Sequence, residues 1–143
     1  MSTNITIQRS VLSPKNKYYI PKYRYLELKN FCLQYPDWKT AINQITILQA
    51  HSRISSTGFF SDPTYSIVLK KAEYERKISI IEDAAKEADY TLCKWLIKGI
   101  TGSYSYEYLK YQMNIPASRD MYYDRYRKFF WILDKKREYL NLE

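Results

Sequence analysis

Between Tyr23 and Tyr35, the apolar side chains Tyr25, Leu28, Cys32 and Tyr35 recur at steps of three and four. That spacing places them on one face of a helix, and Pro36 should either end it or restart the chain. A second helix, DWKTAINQITIL, is expected to start with Asp37 as its cap and to carry Trp38, Ala41, Ile42, Ile45 and Leu48 on one stripe. The stretch HSRISSTGFFS (51–61) lacks this period and reads as a linker, with Phe59 and Phe60 expected to fold back onto a neighbour. Asp62 and Pro63 then mark a sharp helix start, cap and first helical position. The long helix that follows should run to about Glu87. Its Ile67, Tyr74, Ile78, Ile81, Ala85 and Ala88 lie at heptad-like spacing. Two arrangements fit: packing within the monomer, or a homodimer seam through Ile67, Tyr74, Ile78 and Ile81.

Three more helices complete the pattern. DYTLCKWLIKGI (89–100) turns Leu92, Trp95, Leu96 and Ile100 inward and stops at Gly102. SYEYLKYQM (105–113) has Ser105 as cap, with Leu109 and Met113 buried. After the connection NIPAS, Ser118 caps a final helix reaching about Leu140. The expectation is an all-α chain of about six helices, with a long central helix followed by a C-terminal helix-turn-helix. An extended or flexible arm (1–20), an N-terminal helical pair (21–50) and the linker (51–61) precede the long helix and helix-turn-helix region (62–143).

Composition agrees with helices. Only three glycines and five prolines occur in 143 residues, too few for the frequent turns of an all-β fold. The 45% hydrophobic and 27% charged content is that of a globular chain. No apolar stretch is long enough to cross a bilayer and no signal segment opens the chain, so a cytoplasmic protein is expected, without membrane contact. Cys32 and Cys93 form no CxxC, and the one histidine, His51, sits in the linker; neither a metal site nor a catalytic set is suggested. The acidic residues Glu82, Asp83, Glu87 and Asp89 read as a solvated face. No enzyme and no cofactor are expected.

Charge changes the picture more. A net +8 and a pI near 9.3 suit a polyanionic partner. A short helix, a turn and a longer basic helix are the layout of helix-turn-helix. Periodicity splits the last helix into an inward stripe (Tyr122, Tyr126, Phe129, Ile132 and Leu133, with Phe130 at its edge) and a polar remainder. At its start, Ser118, Arg119, Asp120 and Tyr123 hold the positions that meet base edges in the major groove. Arg125, Arg127, Lys128 and, on the preceding helix, Lys110 are placed for phosphates, where a cation adds affinity without reading sequence. Sixteen tyrosines form an excess; exposed ones beside arginine could stack on unpaired bases.

The run GSYSYEYLKYQMNIPASRDMYYDRYRKFFWIL resembles the helix-turn-helix of sigma factor region 4. It is more closely similar to the RinA/ArpU-like late transcription regulators of Gram-positive phages and prophages, in Ser118, Arg119, Tyr122, Tyr123 and Arg125. The resemblance covers residues 62 to 137. It implies a transcriptional regulator that binds double-stranded DNA at a promoter. Asn114 stands where a turn glycine is commoner, but asparagine tolerates the left-handed conformation. The NIPAS connection is a residue longer than the sigma turn. Two rivals share the layout: a module that binds RNA polymerase, a sigma factor or another host protein, and a packaging-initiation protein that recognises DNA.

Overall fold

The computed structural model describes residues 14–55 and 62–141. Among them the chain is all-α, with six helices and no strand: α1 (Lys22–Leu33), α2 (Tyr35–Ser55), α3 (Asp62–Ala88), α4 (Cys93–Thr101), α5 (Tyr106–Met113) and α6 (Arg119–Asn141). The expected extended or flexible arm is described only from residue 14 onwards, and there it is not extended: Tyr19 N–H closes a turn onto the Asn16 carbonyl at 3.0 Å and Ile20 is buried in the core. The expected cap of Asp62 and the packing of Phe59 and Phe60 lie outside the described residues and side chains.

Helix α1 begins after extended Pro21 and buries Tyr25, Leu28, Phe31 and Cys32. Only Gln34 separates it from α2. Pro36 lies in the first turn of α2, where its missing N–H leaves no hydrogen bond unmade. Trp38 N–H closes the first bond of α2 onto the Gln34 carbonyl at 3.0 Å. Asp37 therefore sits inside the first turn, favourable to the helix dipole, and not ahead of it as a cap. At its other end α2 runs to Ser55, into the expected linker. HSRIS contains no glycine or proline, so nothing in it stops the helix.

Helix α4 begins at Cys93, four residues later than expected. The reason is Asp89, whose Oδ1 accepts from Leu92 N–H at 3.0 Å and holds residues 90–92 as a turn. Gly102 caps its far end as expected, and Ser103, at φ 55°, takes the left-handed conformation after it.

One hydrophobic core joins all six helices, from Ile20 to Leu133. Helix α3 lies against α2, α4 and α6, and α1 closes over α4 and α6. Tyr25 of α1 meets Phe130 of α6 edge-on at 5.0 Å, and the Tyr25 and Tyr126 hydroxyls share a hydrogen bond of 2.7 Å. Arg24 adds an ion pair to Asp134 at 2.5 Å. The N-terminal pair and the helix-turn-helix region thus share one core, and the 51–61 stretch does not divide two. Phe130, expected at the edge of the α6 stripe, is fully buried because α1 covers that edge.

The same packing bears on the expected dimer seam. Ile78 and Ile81 are buried in the chain's own core, Tyr74 is half-buried against it, and Ile67 is half-buried. A seam cannot run through Ile78 and Ile81, because neighbouring helices of the same chain already cover them.

Candidate nucleic-acid interface

The unit that presents the candidate site is α5, its turn and the start of α6. Ser105 Oγ accepts from Tyr108 N–H at 3.2 Å and starts α5. Asn114 ends it in the left-handed region (φ 51°, ψ 48°), so the missing turn glycine is replaced as expected. Ile115 N–H then bonds back to the Leu109 carbonyl at 3.1 Å. Two side chains fasten the longer connection. Trp95 Nε1–H donates to the Met113 carbonyl at 2.8 Å, and the Tyr106 hydroxyl donates to the Ala117 carbonyl at 2.5 Å. Beneath the turn, a Cβ on Gly99 of α4 would lie 3.0 Å from Leu109 and collide with the Tyr122 hydroxyl, so only glycine lets α4 come this close.

Ser118 Oγ accepts from Met121 N–H at 3.2 Å, the expected cap of α6. Arg119, Asp120 and Met121 are exposed in its first turn. Arg119 forms an ion pair with Glu107 of α5 and lies 5.4 Å from the Tyr123 ring centre. Tyr123 is half-buried, edge-on to Tyr122 at 5.0 Å. Burial raises its phenol, an effect offset in part by a hydrogen bond with the Tyr106 backbone and by the Arg119 charge.

The positions expected to meet phosphates are less uniform. Lys110 is exposed on α5, while Arg127 and Lys128 are half-buried on α6. Arg125 is occupied: its Nε donates to Asp89 Oδ2 at 3.0 Å and its Nη1 to Asp124 at 2.5 Å. The Asp89 hydrogen bond holds the guanidinium above its ordinary value. An exposed pair such as Arg119–Glu107 is worth only about 0–1 kcal/mol, so a phosphate or base can displace the glutamate. Asp89 is less exposed and also holds the turn that leads into α4. Arg125 therefore clamps α6 to the α3–α4 junction, a role its sequence position did not suggest.

Asp89 and Glu107 went unrecognised as partners. Asp89 stands directly ahead of an apolar run, which is a capping signal, but its arginine lies 36 residues away. The acidic residues near it are not simply solvated. Glu82 accepts from the Tyr35 hydroxyl at 2.6 Å, and Glu87 pairs with Lys136 at 3.0 Å. Burial pushes the Cys32 thiol up, and both cysteines are free. Among the described residues no cluster of three or more His, Cys, Asp or Glu could hold a metal, and no helix is long and apolar enough to cross a membrane. Neither the protein-family models, nor the curated proteins, nor the solved structures contain a match to this chain.

Proposed function

We propose that this chain is a sequence-specific DNA-binding protein that lays the start of α6 in the major groove of a duplex. By the likeness of its α5–α6 segment, we take it as a transcriptional regulator of the phage and prophage type. The observation that carries the reading is the α5–turn–α6 unit. Trp95, Tyr106, Gly99 and Asn114 fix its angle, and the first turn of α6 stands exposed at its tip. In this pose Arg119 leaves Glu107 for a base edge, Ser118 and Tyr123 flank it, and Asp120 accepts from a cytosine amino group. Lys128, Arg127 and Lys110 meet the backbone.

A second reading is favoured by two specific observations. Arg119 and Arg125 are neutralised within the chain, and Ile47, Leu48, Val68 and Leu69 are exposed along α2 and α3. Both suit a module that docks on a protein such as RNA polymerase or a sigma factor.

The test is selection from a genomic duplex library at low and near-physiological salt, followed by Arg119→Glu and Lys128→Glu. One enriched site should persist at the higher salt. Arg119→Glu should weaken it roughly 5- to 150-fold, the worth of one base contact. Duplex binding that survives both reversals would refute this docking and favour the protein-docking module.

A further inference from the structure

Beside the first turn of α6, the outer face of α5 carries rings that neither the core nor the duplex pose uses. Tyr104 and Tyr108 stack face to face, centroids 4.2 Å apart and planes 12° off parallel. The other ring pairs among the described residues lie tilted or edge-on, between 44° and 85°. The parallel pair is also at the surface, with Tyr104 37% and Tyr108 38% exposed. Tyr111, 73% exposed, stands one turn along the same face of α5.

The platform is built rather than incidental. After α4 the chain turns back through left-handed Ser103, and Tyr104 N–H donates to the Gly99 carbonyl at 2.9 Å. The Tyr104 ring then rests on the bare Cα of Gly102, where a Cβ would come within 2.5 Å of it. Rings fixed in this way lose little conformational freedom when a ligand stacks on them. Cations stand at both ends: Lys98 Nζ is 5.7 Å from the Tyr104 ring centre and Lys110 Nζ 5.5 Å from that of Tyr111. Glu107 is the one acidic residue of α5, and its pairing with Arg119 offsets the charge that would repel an anionic strand.

We infer that this surface binds single-stranded DNA, with unpaired bases stacking on the outer face of Tyr108, which Tyr104 backs, and on Tyr111, and with phosphates meeting Lys98 and Lys110. Aromatic faces interleaved with cations hold single strands with little regard to sequence, because every base has a face to stack. A duplex hides those faces between its own base pairs. Rings do not read the sugar, so the choice of DNA over RNA rests on the duplex-DNA reading of α6.

The experiment titrates the full chain with labelled oligothymidylate of about twelve nucleotides, within the span such surfaces cover. Oligouridylate and a duplex serve as comparisons. Tyr108→Ala and Tyr111→Ala should each weaken oligothymidylate binding roughly 5- to 150-fold, the worth of one stacked base. Tyr108→Phe should bind like the parent, since the ring and not the hydroxyl stacks, and circular dichroism checks that each variant folds. Lys128→Glu should weaken the duplex and spare the single strand. Binding of oligothymidylate without any duplex binding would leave the platform standing and overturn the reading of α6. Absence of oligothymidylate binding at low salt, or binding indifferent to loss of both rings, would overturn the platform. Tighter binding of oligouridylate would overturn the assignment to DNA.

Discussion

At the scale of single residues, two backbone positions set the geometry of the candidate interface. Asn114 is left-handed, a conformation that costs most L-residues about 1–2 kcal/mol. Asn114→Ala should therefore lower stability by about 1 kcal/mol in urea unfolding, whereas Asn114→Gly should leave it nearly unchanged. Gly99 is set by space rather than by backbone angle. Alanine there would gain up to about 1 kcal/mol of helix propensity. Overpacking against Leu109 and the fully buried Tyr122 costs about 1–3 kcal/mol. The clash should win, so Gly99→Ala is expected to be less stable than the parent. Adding Tyr122→Phe, which removes the colliding oxygen, should recover part of the loss; no recovery would show that Leu109 alone sets the limit.

At the scale of the helix, α6 serves two ends of the molecule. Its first turn is exposed, while its later turns pack on α3 and α1. Asp89 fixes where the helix lies, by capping the turn before α4 with one oxygen and holding Arg125 with the other. The two roles can be separated. Asp89→Asn keeps a capping oxygen and loses the charge, so it should cost under about 1 kcal/mol, the scale of a partly exposed ion pair. Asp89→Ala loses the cap as well and should cost about 1–2 kcal/mol more. Equal losses in the two variants, measured by urea unfolding, would show that the cap contributes nothing.

At the scale of the whole molecule, the shared core is lined with phenols. Burial is the first cause raising Tyr25, Tyr122 and Tyr126 above 10.0, and it raises the Cys32 thiol too. A raised value means that the folded chain holds a proton the unfolded chain would release. Their contribution to stability is thus whole below the unfolded values and lost as pH climbs through the folded ones. Lys29, lowered by burial, acts in the opposite sense: its contribution is present above its unfolded value and lost as pH falls through its folded one. One lysine faces four acids, so the net direction is alkaline loss. Stability should begin to fall at about pH 9–10, where the unfolded thiol and phenols ionise. Phenolate absorbance from the buried tyrosines should then rise together with the loss of helical circular dichroism. Ionisation of every tyrosine while the helix signal stayed intact would contradict this account.

Side-chain period was enough to place the helices and most of the faces they bury, though Leu48, expected on the stripe of α2, is 56% exposed. Periodicity named Tyr25, Leu28 and Cys32 of α1 and Tyr122, Tyr126, Phe129 and Leu133 of α6, and all are buried. Ser105 and Ser118 cap as their positions implied, because capping acts over two or three residues and is written locally. Tertiary structure alone decided how the charged and long-range groups are used. Whether Arg125 faces solvent depends on Asp89, and whether Arg119 is free depends on Glu107 across a turn. Whether Ile78 and Ile81 could form a seam depends on which helices of the same chain reach them first. The parallel stack of Tyr104 and Tyr108 likewise exists only because a left-handed turn lays one ring on Gly102. Local hydrogen bonds and side-chain period can be read within a few residues. Partner choice between charges and rings is a contest over distance in space, settled only once the helices have packed.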